Sequence, residues 1–160
     1  MINHPIEPVY NESSKILILG SFPSVKSREV GFFYGHPQNR FWRVLSALLE
    51  RGTPTATEEK KAFLLTCGIA LWDVIASCEI EGSADSTIKS VTPNDLNIIL
   101  SSADIKAIFV NGKTAEKYYN KYILKSLNRP AILLPSTSAA NAAFSLEKLT
   151  REWSKIKEYM

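Results

Sequence analysis

Apolar residues in this chain fall into short continuous blocks and into stretches spaced at three and four residues. The continuous blocks predict strands buried on both faces. The first is KILILG, Lys15–Gly20, closed by a glycine. Ile69–Ile75 (IALWDVI), Ile105–Val110 (IKAIFV) and Ala131–Leu134 (AILL) are three more. Between them lie helical spacings. Phe41, Val44, Leu45, Leu48 and Leu49 share one face of a helix within NRFWRVLSALLERG, and Gly52 stops it. Thr55 and Glu58 have the spacing of a capping box for a helix through EEKKAFLLTCG. Thr92 as N-cap, Pro93 at the first position and Asp95 in the first turn predict a helix over TPNDLNIILSS. A long helix is predicted over KTAEKYYNKYILKSL, and a last one carries Leu146, Leu149, Trp153 and Ile156.

Strands alternating with helices predict one α/β domain over residues 1–160. The architecture is three-layer α/β/α, with a mostly parallel central sheet of about four strands. Such sheets bind ligands at the carboxyl ends of their strands. Three strand ends run into small or polar loops, GSFPS, NGKT and PSTSAAN, and the Ile69–Ile75 strand runs into a long polar loop, DVIASCEIEGSADS. There is no internal repeat and no linker.

Composition narrows the classes of function. At 160 residues with 45% hydrophobic and 22% charged residues, the chain is an ordinary globular domain with a real core. No apolar run reaches the ~18 residues of a membrane span, and MINHPIEPVYNESSK is not a signal peptide. Two separated cysteines and two histidines make neither a disulfide framework nor a metal site, so the expectation is a reducing cytoplasm and no metal or other cofactor. A net charge of +3 permits a polyanionic partner without requiring one.

The unusual stretch is FFYGHPQNRFW, Phe32–Trp42, where five aromatic rings surround Gly35, His36, Pro37, Gln38 and Asn39. Flat rings beside a bare amide suit a nucleobase pocket. Asn39 is equally a favoured helix cap, and a lone histidine such as His36 is commonly a structural hydrogen-bonding group. Asp73 ends a strand where catalytic carboxylates sit, and a turn or cap role suits it too. In PSTSAAN, Ser136, Thr137 and Ser138 are either donors to phosphate oxygens or the hydroxyls of a turn and cap. Lys113, Lys117, Lys121 and Lys125 recur on one helix face, as a solvated face or as phosphate contacts. Gly112-Lys113-Thr114 mimics the end of a phosphate loop, but the glycine needed five residues earlier is Ala107.

LILGSFPS, FYGHPQNRFW, CGIALWDVI and LLPSTSAAN, in that order and spanning most of the chain, resemble the uracil-DNA glycosylase superfamily. The nearest likeness is to its deoxyinosine (hypoxanthine)-DNA glycosylase branch, and HPQNRFW is also similar to the mismatch-specific uracil/thymine enzymes. The resemblance implies a monofunctional DNA glycosylase. Such an enzyme flips a deaminated base, hypoxanthine first, out of double-stranded DNA and hydrolyses its N-glycosidic bond, as a monomer without cofactor. It implies that Gly20, Ser21, Phe22, Pro23, Ser24 and His36 line the base pocket together with Tyr34, which stacks on the base. It also implies that Ser136, Thr137, Ser138, Ala139 and Asn141 meet the DNA strand. Uracil-excising relatives carry Asp or Asn two places after the first-motif glycine to handle the attacking water. Here that place is Phe22, and the resemblance moves the task to Asn39. The alternatives are excision of uracil, xanthine or etheno adducts, a lesion-binding protein without turnover, and an unrelated nucleotide-binding α/β domain.

Overall fold

Every residue from 1 to 160 is described in the computed structural model. The chain opens with β1 (Ile2–Asn3), β2 (Ile16–Gly20), α1 (Val25–Val30), α2 (Phe41–Leu49) and α3 (Thr57–Thr66). It continues with β3 (Ile69–Asp73), β4 (Ile75–Glu79), β5 (Lys89–Pro93), α4 (Asn97–Leu100) and β6 (Ala107–Asn111). It closes with α5 (Lys113–Tyr122), α6 (Leu124–Leu127), β7 (Ile132–Leu134) and α7 (Leu146–Trp153).

The central sheet is four-stranded and wholly parallel, in the order β3-β2-β6-β7. Every residue of β2 and β3 is buried, because a parallel sheet covered on both faces has no solvent side to make polar. Helix α3 packs on β3, α5 on β6, and α2 against α7. Phe41 from α2 meets Trp153 from α7 edge-on, with ring centroids 5.8 Å apart. The amphipathic spacing of the two sequences is what brings these rings together.

A second sheet was not foreseen. It is three-stranded and antiparallel in the order β1-β4-β5. The Ile69–Ile75 run, expected as one strand, is two. The chain bends at Val74, whose N–H goes to Gly20 O at 2.8 Å while Ile75 N–H goes to Ser21 O at 3.1 Å. The expected polar loop therefore begins as β4, with Ile75 and Cys78 buried. Alternation on β4 is broken by register shifts against β5, which hides its strand period.

Local expectations also shift. Thr92 and Pro93 end β5 instead of opening a helix, and only Asn97–Leu100 is helical beyond them. A proline is tolerated there because it sits at a strand end. The Thr55–Glu58 capping box does not form, since Ala56 is the N-cap of α3 and makes no side-chain bond. The long helix is divided at Ile123, which is at once the C-cap of α5 and the N-cap of α6.

The N-terminal segment is tied along the β3 edge. Val9 and Leu71 exchange both backbone hydrogen bonds, and His4 N–H donates to Ala76 O at 2.7 Å. No helix is long and apolar enough to cross a membrane.

Candidate active site

Parallel strands deliver their carboxyl ends to one edge of the sheet. Gly20 pairs with Asp73 there, and Asn111 with Leu134. A cleft of about 930 Å³ opens at this edge, within the size range of small-molecule sites. Its lining gathers Gly20, Ser21, Phe22, Pro23 and Ser24, then Tyr34, His36 and Asn39, and finally Ser136, Thr137, Ser138, Ala139 and Asn141. The three motifs, far apart in sequence, thus share one cavity, and Asp73 and Asn111 line it with them.

Asn39 sits one residue before the backbone N-cap, Arg40. Its carboxamide oxygen accepts Phe41 N–H at 3.0 Å and the Thr137 hydroxyl at 2.9 Å. The Thr137 hydroxyl in turn accepts Asn111 Nδ2–H at 3.1 Å, and Thr137 N–H donates to Asn111 Oδ1 at 3.1 Å. Donor follows donor from Asn111 through Thr137 to Asn39, so the Asn39 amide has one orientation. Its oxygen helps begin the helix, and its Nδ2 makes no hydrogen bond within the protein. The two readings of this residue, cap and bare amide, fall on different atoms of the same side chain.

Thr137, expected to meet DNA, is fully buried. Its hydroxyl belongs to the Asn39–Asn111 chain. Ser136 and Ser138 remain partly exposed and Ala139 is exposed. Ser136 Oγ accepts Ser138 N–H at 3.2 Å, Ser138 Oγ accepts Ala140 N–H at 3.2 Å, and Asn141 Nδ2 donates to Ser136 O at 3.0 Å. The loop is braced by its own polar groups. Ser24 is likewise employed, as the N-cap of α1, accepting Ser27 N–H at 3.1 Å. His36 is exposed, its Nδ1 accepting Gln38 N–H at 3.1 Å within the turn.

Tyr34 stacks on Phe41 with centroids 4.0 Å apart and planes 17° off parallel. Its φ is +51°, so the turn holds it in the left-handed region. The hydroxyl is buried without a hydrogen-bond partner. Burial, reinforced by the Asp73 carboxylate, pushes the phenol well above its ordinary pKa, while the Asn111 side chain, close by without a bond of ordinary geometry, pulls weakly the other way. Gly20 lies directly beneath. A Cβ on it would stand 2.4 Å from Asp73 Oδ1 and 2.9 Å from Tyr34 Oη, so only glycine fits.

Three contributors were not assigned from sequence. Arg40 donates from its guanidinium to the carbonyls of Ser138 (2.8 Å), Asn141 (3.2 Å) and Phe144, and its backbone N–H to Thr137 O at 3.0 Å. It staples the 137–144 loop beside Asn39. Asn111 ends β6 as the first polar residue after an apolar run, which was the available signal. His4 donates to Asp73 Oδ2 at 2.7 Å, and both side chains are at least 95% buried. Nothing local in the sequence ties His4 to Asp73, 69 residues away. The Lys113–Lys125 stripe is exposed, with Lys117 and Lys121 lying over the rings of Tyr118 and Tyr122. No three His, Cys, Asp or Glu side chains gather as a metal site would require.

Known proteins share this sequence and fold. A sequence model of the Uracil DNA glycosylase superfamily matches residues 7–158. A protein of Methanosarcina acetivorans named hypoxanthine DNA glycosylase is 35% identical over 158 residues, covering 98% of both chains. One of the same name from Methanosarcina barkeri is 33% identical over 92% of this chain and 93% of its own. The solution NMR structure of a Methanosarcina acetivorans protein, described as a candidate uracil DNA glycosylase, superposes with a TM-score of 0.80 at 31% identity, covering 98% of this chain and 99% of that one. With a matching family model over nearly its whole length and full-length relatives above 30% identity, this chain belongs to the uracil DNA glycosylase superfamily.

Proposed function

We propose that this DNA glycosylase removes hypoxanthine from deoxyinosine in double-stranded DNA, acting as a monomer and leaving an abasic site. The observation that carries the chemistry is Asn39. Its amide is locked by Phe41 N–H and the Thr137 hydroxyl, which leaves Nδ2–H₂ free at the cleft. The choice of base is supported by two full-length relatives named hypoxanthine DNA glycosylase.

The reaction needs little covalent chemistry from the protein. Water adds its oxygen to C1′, the C1′–N9 bond breaks, and the bonding electrons leave with the purine. The proton lost by the water goes to solvent or to the departing base. The transition state is a sugar cation beside a nucleobase anion, so preorganised dipoles in a dry cleft lower the barrier. Nδ2 of Asn39 donates to the oxygen of the attacking water and fixes its place. It accepts no proton, so the water is positioned and not deprotonated by Asn39. Phe22, 9% exposed, replaces the polar residue of uracil-excising relatives with an apolar wall, which favours hypoxanthine over uracil. Tyr34 offers ring surface for the flipped base, and Ser136, Ser138 and the backbone near Ala139 and Asn141 meet the DNA strand.

The test is a panel of duplexes holding one deoxyinosine, deoxyuridine, deoxyxanthosine or ethenodeoxycytidine, incubated and then treated with alkali. Breaks that appear only after alkali, and fastest with deoxyinosine, support the reading. Tight binding without breaks supports a lesion-binding protein instead, and faster cleavage of another lesion reassigns the base.

A further inference from the structure

Positive charge is unevenly placed on this molecule. Residues 113–129, which hold α5 and α6, carry five of the nineteen Lys and Arg side chains and one of the sixteen Asp and Glu, a net +4 against +3 for the whole chain. The rest of the protein is therefore slightly acidic, at −1. Lys113, Lys117 and Lys121 recur along α5 at steps of about 6 Å, and Lys125 follows in α6. All four are exposed, and none has a carboxylate within ion-pair distance, whereas the exposed Lys61 and Lys106 are paired with Glu58 and Asp104. The acids of this region, Glu116 and Asp85 beside Thr114, sit at the first turn of α5, so the surplus lies in Lys117, Lys121 and Lys125. Two of these ammonium groups are held in place. Nζ of Lys117 is 5.2 Å from the centre of the Tyr118 ring, Nζ of Lys121 is 5.2 Å from that of Tyr122, and the two rings stack at 6.1 Å. Like charges at this spacing repel, and a polyanion laid along them relieves the repulsion.

The direction of the row matters. β6 and β7 are parallel, so α5 and α6 carry the chain from the carboxyl edge of the sheet back to the other edge. Gly112, Lys113 and Thr114 line the cleft, and each later lysine lies farther from its mouth. A straight duplex across the mouth passes Lys121 and Lys125 by, and a duplex bent at the flipped nucleotide brings one arm onto them. We propose that one arm of the bound duplex lies along α5, with its phosphates on Lys117, Lys121 and Lys125. This rests on the cleft being a DNA glycosylase site and not on the choice of base. The row from Lys117 to Lys125 is about 12 Å long and faces three to four base pairs at about 3.4 Å each. It reads charge and not sequence, so it serves damaged and undamaged duplexes alike.

The test is the salt dependence of duplex binding, followed by fluorescence anisotropy between about 50 and 200 mM salt. In Lys117→Gln/Lys121→Gln/Lys125→Gln the slope of log K against log salt should be shallower by about 2–3, with or without deoxyinosine, and in Lys121→Gln alone by about 1. The control Lys61→Gln/Lys106→Gln removes two paired lysines elsewhere and should leave the slope unchanged. In the wild type, which covers variants that fail to fold, shortening one arm of the duplex from about 12 to about 4 base pairs should weaken binding on one side of the lesion only, and the difference should shrink as salt rises. The triple variant should show no such asymmetry. An unchanged slope in the folded triple variant makes the row a solvated face and overturns the inference. An equal change in the control makes the effect one of net charge and overturns it too. A shallower slope with no dependence on either arm assigns the row to a separate polyanion and overturns the placement of the arm. A wild type that shows the lysine-dependent slope and the arm asymmetry but leaves deoxyinosine intact keeps this surface and sinks the hypoxanthine reading, and one that binds no duplex overturns both.

Discussion

The Thr137 hydroxyl donates to the Asn39 carboxamide oxygen at 2.9 Å, joining residues 98 positions apart. With Phe41 N–H on the same oxygen, the amide cannot turn over without losing two bonds. The last strand–helix loop therefore sets the orientation of the residue on which the proposed chemistry rests.

Thr137→Val keeps the shape and removes the hydroxyl. Asn111 Nδ2 and the Asn39 oxygen each lose a partner. The expected cost is about 1–3 kcal/mol, a fall in Tm of roughly 2–12 °C for a domain of this size. Excision should slow about 10-fold, because part of the population would present the amide reversed. An unchanged rate at the lowered Tm would show that Thr137 does not orient Asn39.

Tyr34→Phe deletes a buried hydroxyl that has no partner. Stability should hold or rise, and thermal melting reads this directly. If the ring carries the base, Tyr34→Phe keeps most activity while Tyr34→Ala loses about 10- to 150-fold in kcat/KM, the worth of one stacked base. Because the phenol is pushed above its ordinary pKa, it is neutral across the working range. The pH–rate profiles of wild type and Tyr34→Phe should then coincide up to about pH 9. Divergence below that point would mean the hydroxyl takes part.

Arg40→Lys exchanges a fork for a single point of charge. The guanidinium reaches the carbonyls of Ser138, Asn141 and Phe144 together, and an ammonium cannot. Binding to duplex DNA should weaken about 10-fold with or without a lesion, since the loop that meets the strand would loosen. Equal affinity in Arg40→Lys, measured by fluorescence anisotropy, would mean that the loop holds itself.

The parallel sheet was legible because its strands are continuous apolar runs, and a strand buried on both faces has no other way to be written. The second sheet was not. Its strands are two to five residues long, and one hides inside a run that looks like a simple continuation of β3 until the chain bends at Val74. Tyr34, Asn39 and the 136–141 loop, which line one cleft, stood out in the sequence because aromatic and hydroxyl-rich clusters interrupt the usual periods. The burial of Thr137 was not legible, because a hydroxyl in a polar loop gives no sign of facing inward. His4 was missed for the opposite reason: it sits in an ordinary N-terminal stretch, and only the pairing of β1 with β4 carries it to Asp73. Asp73 was weighed both as a catalytic carboxylate and as a turn or cap residue, since a strand-end aspartate alone does not reveal a buried partner.

The central claim is that the free Nδ2 of Asn39 serves turnover beyond its oxygen's part in starting α2. Asn39→Ser retains an oxygen able to meet Phe41 N–H and removes the amino group, so a residue that only caps would lose no turnover, while the buried Thr137 hydroxyl, deprived of its acceptor, costs about 1–3 kcal/mol of stability. Single-turnover excision of deoxyinosine, with enzyme in excess and folding verified by melting, should fall roughly 10²- to 10³-fold, the scale of one preorganised electrostatic group. Affinity for the lesion duplex should be largely kept. A folded Asn39→Ser that excises hypoxanthine at the wild-type rate would contradict the account and leave Asn39 as a helix cap alone.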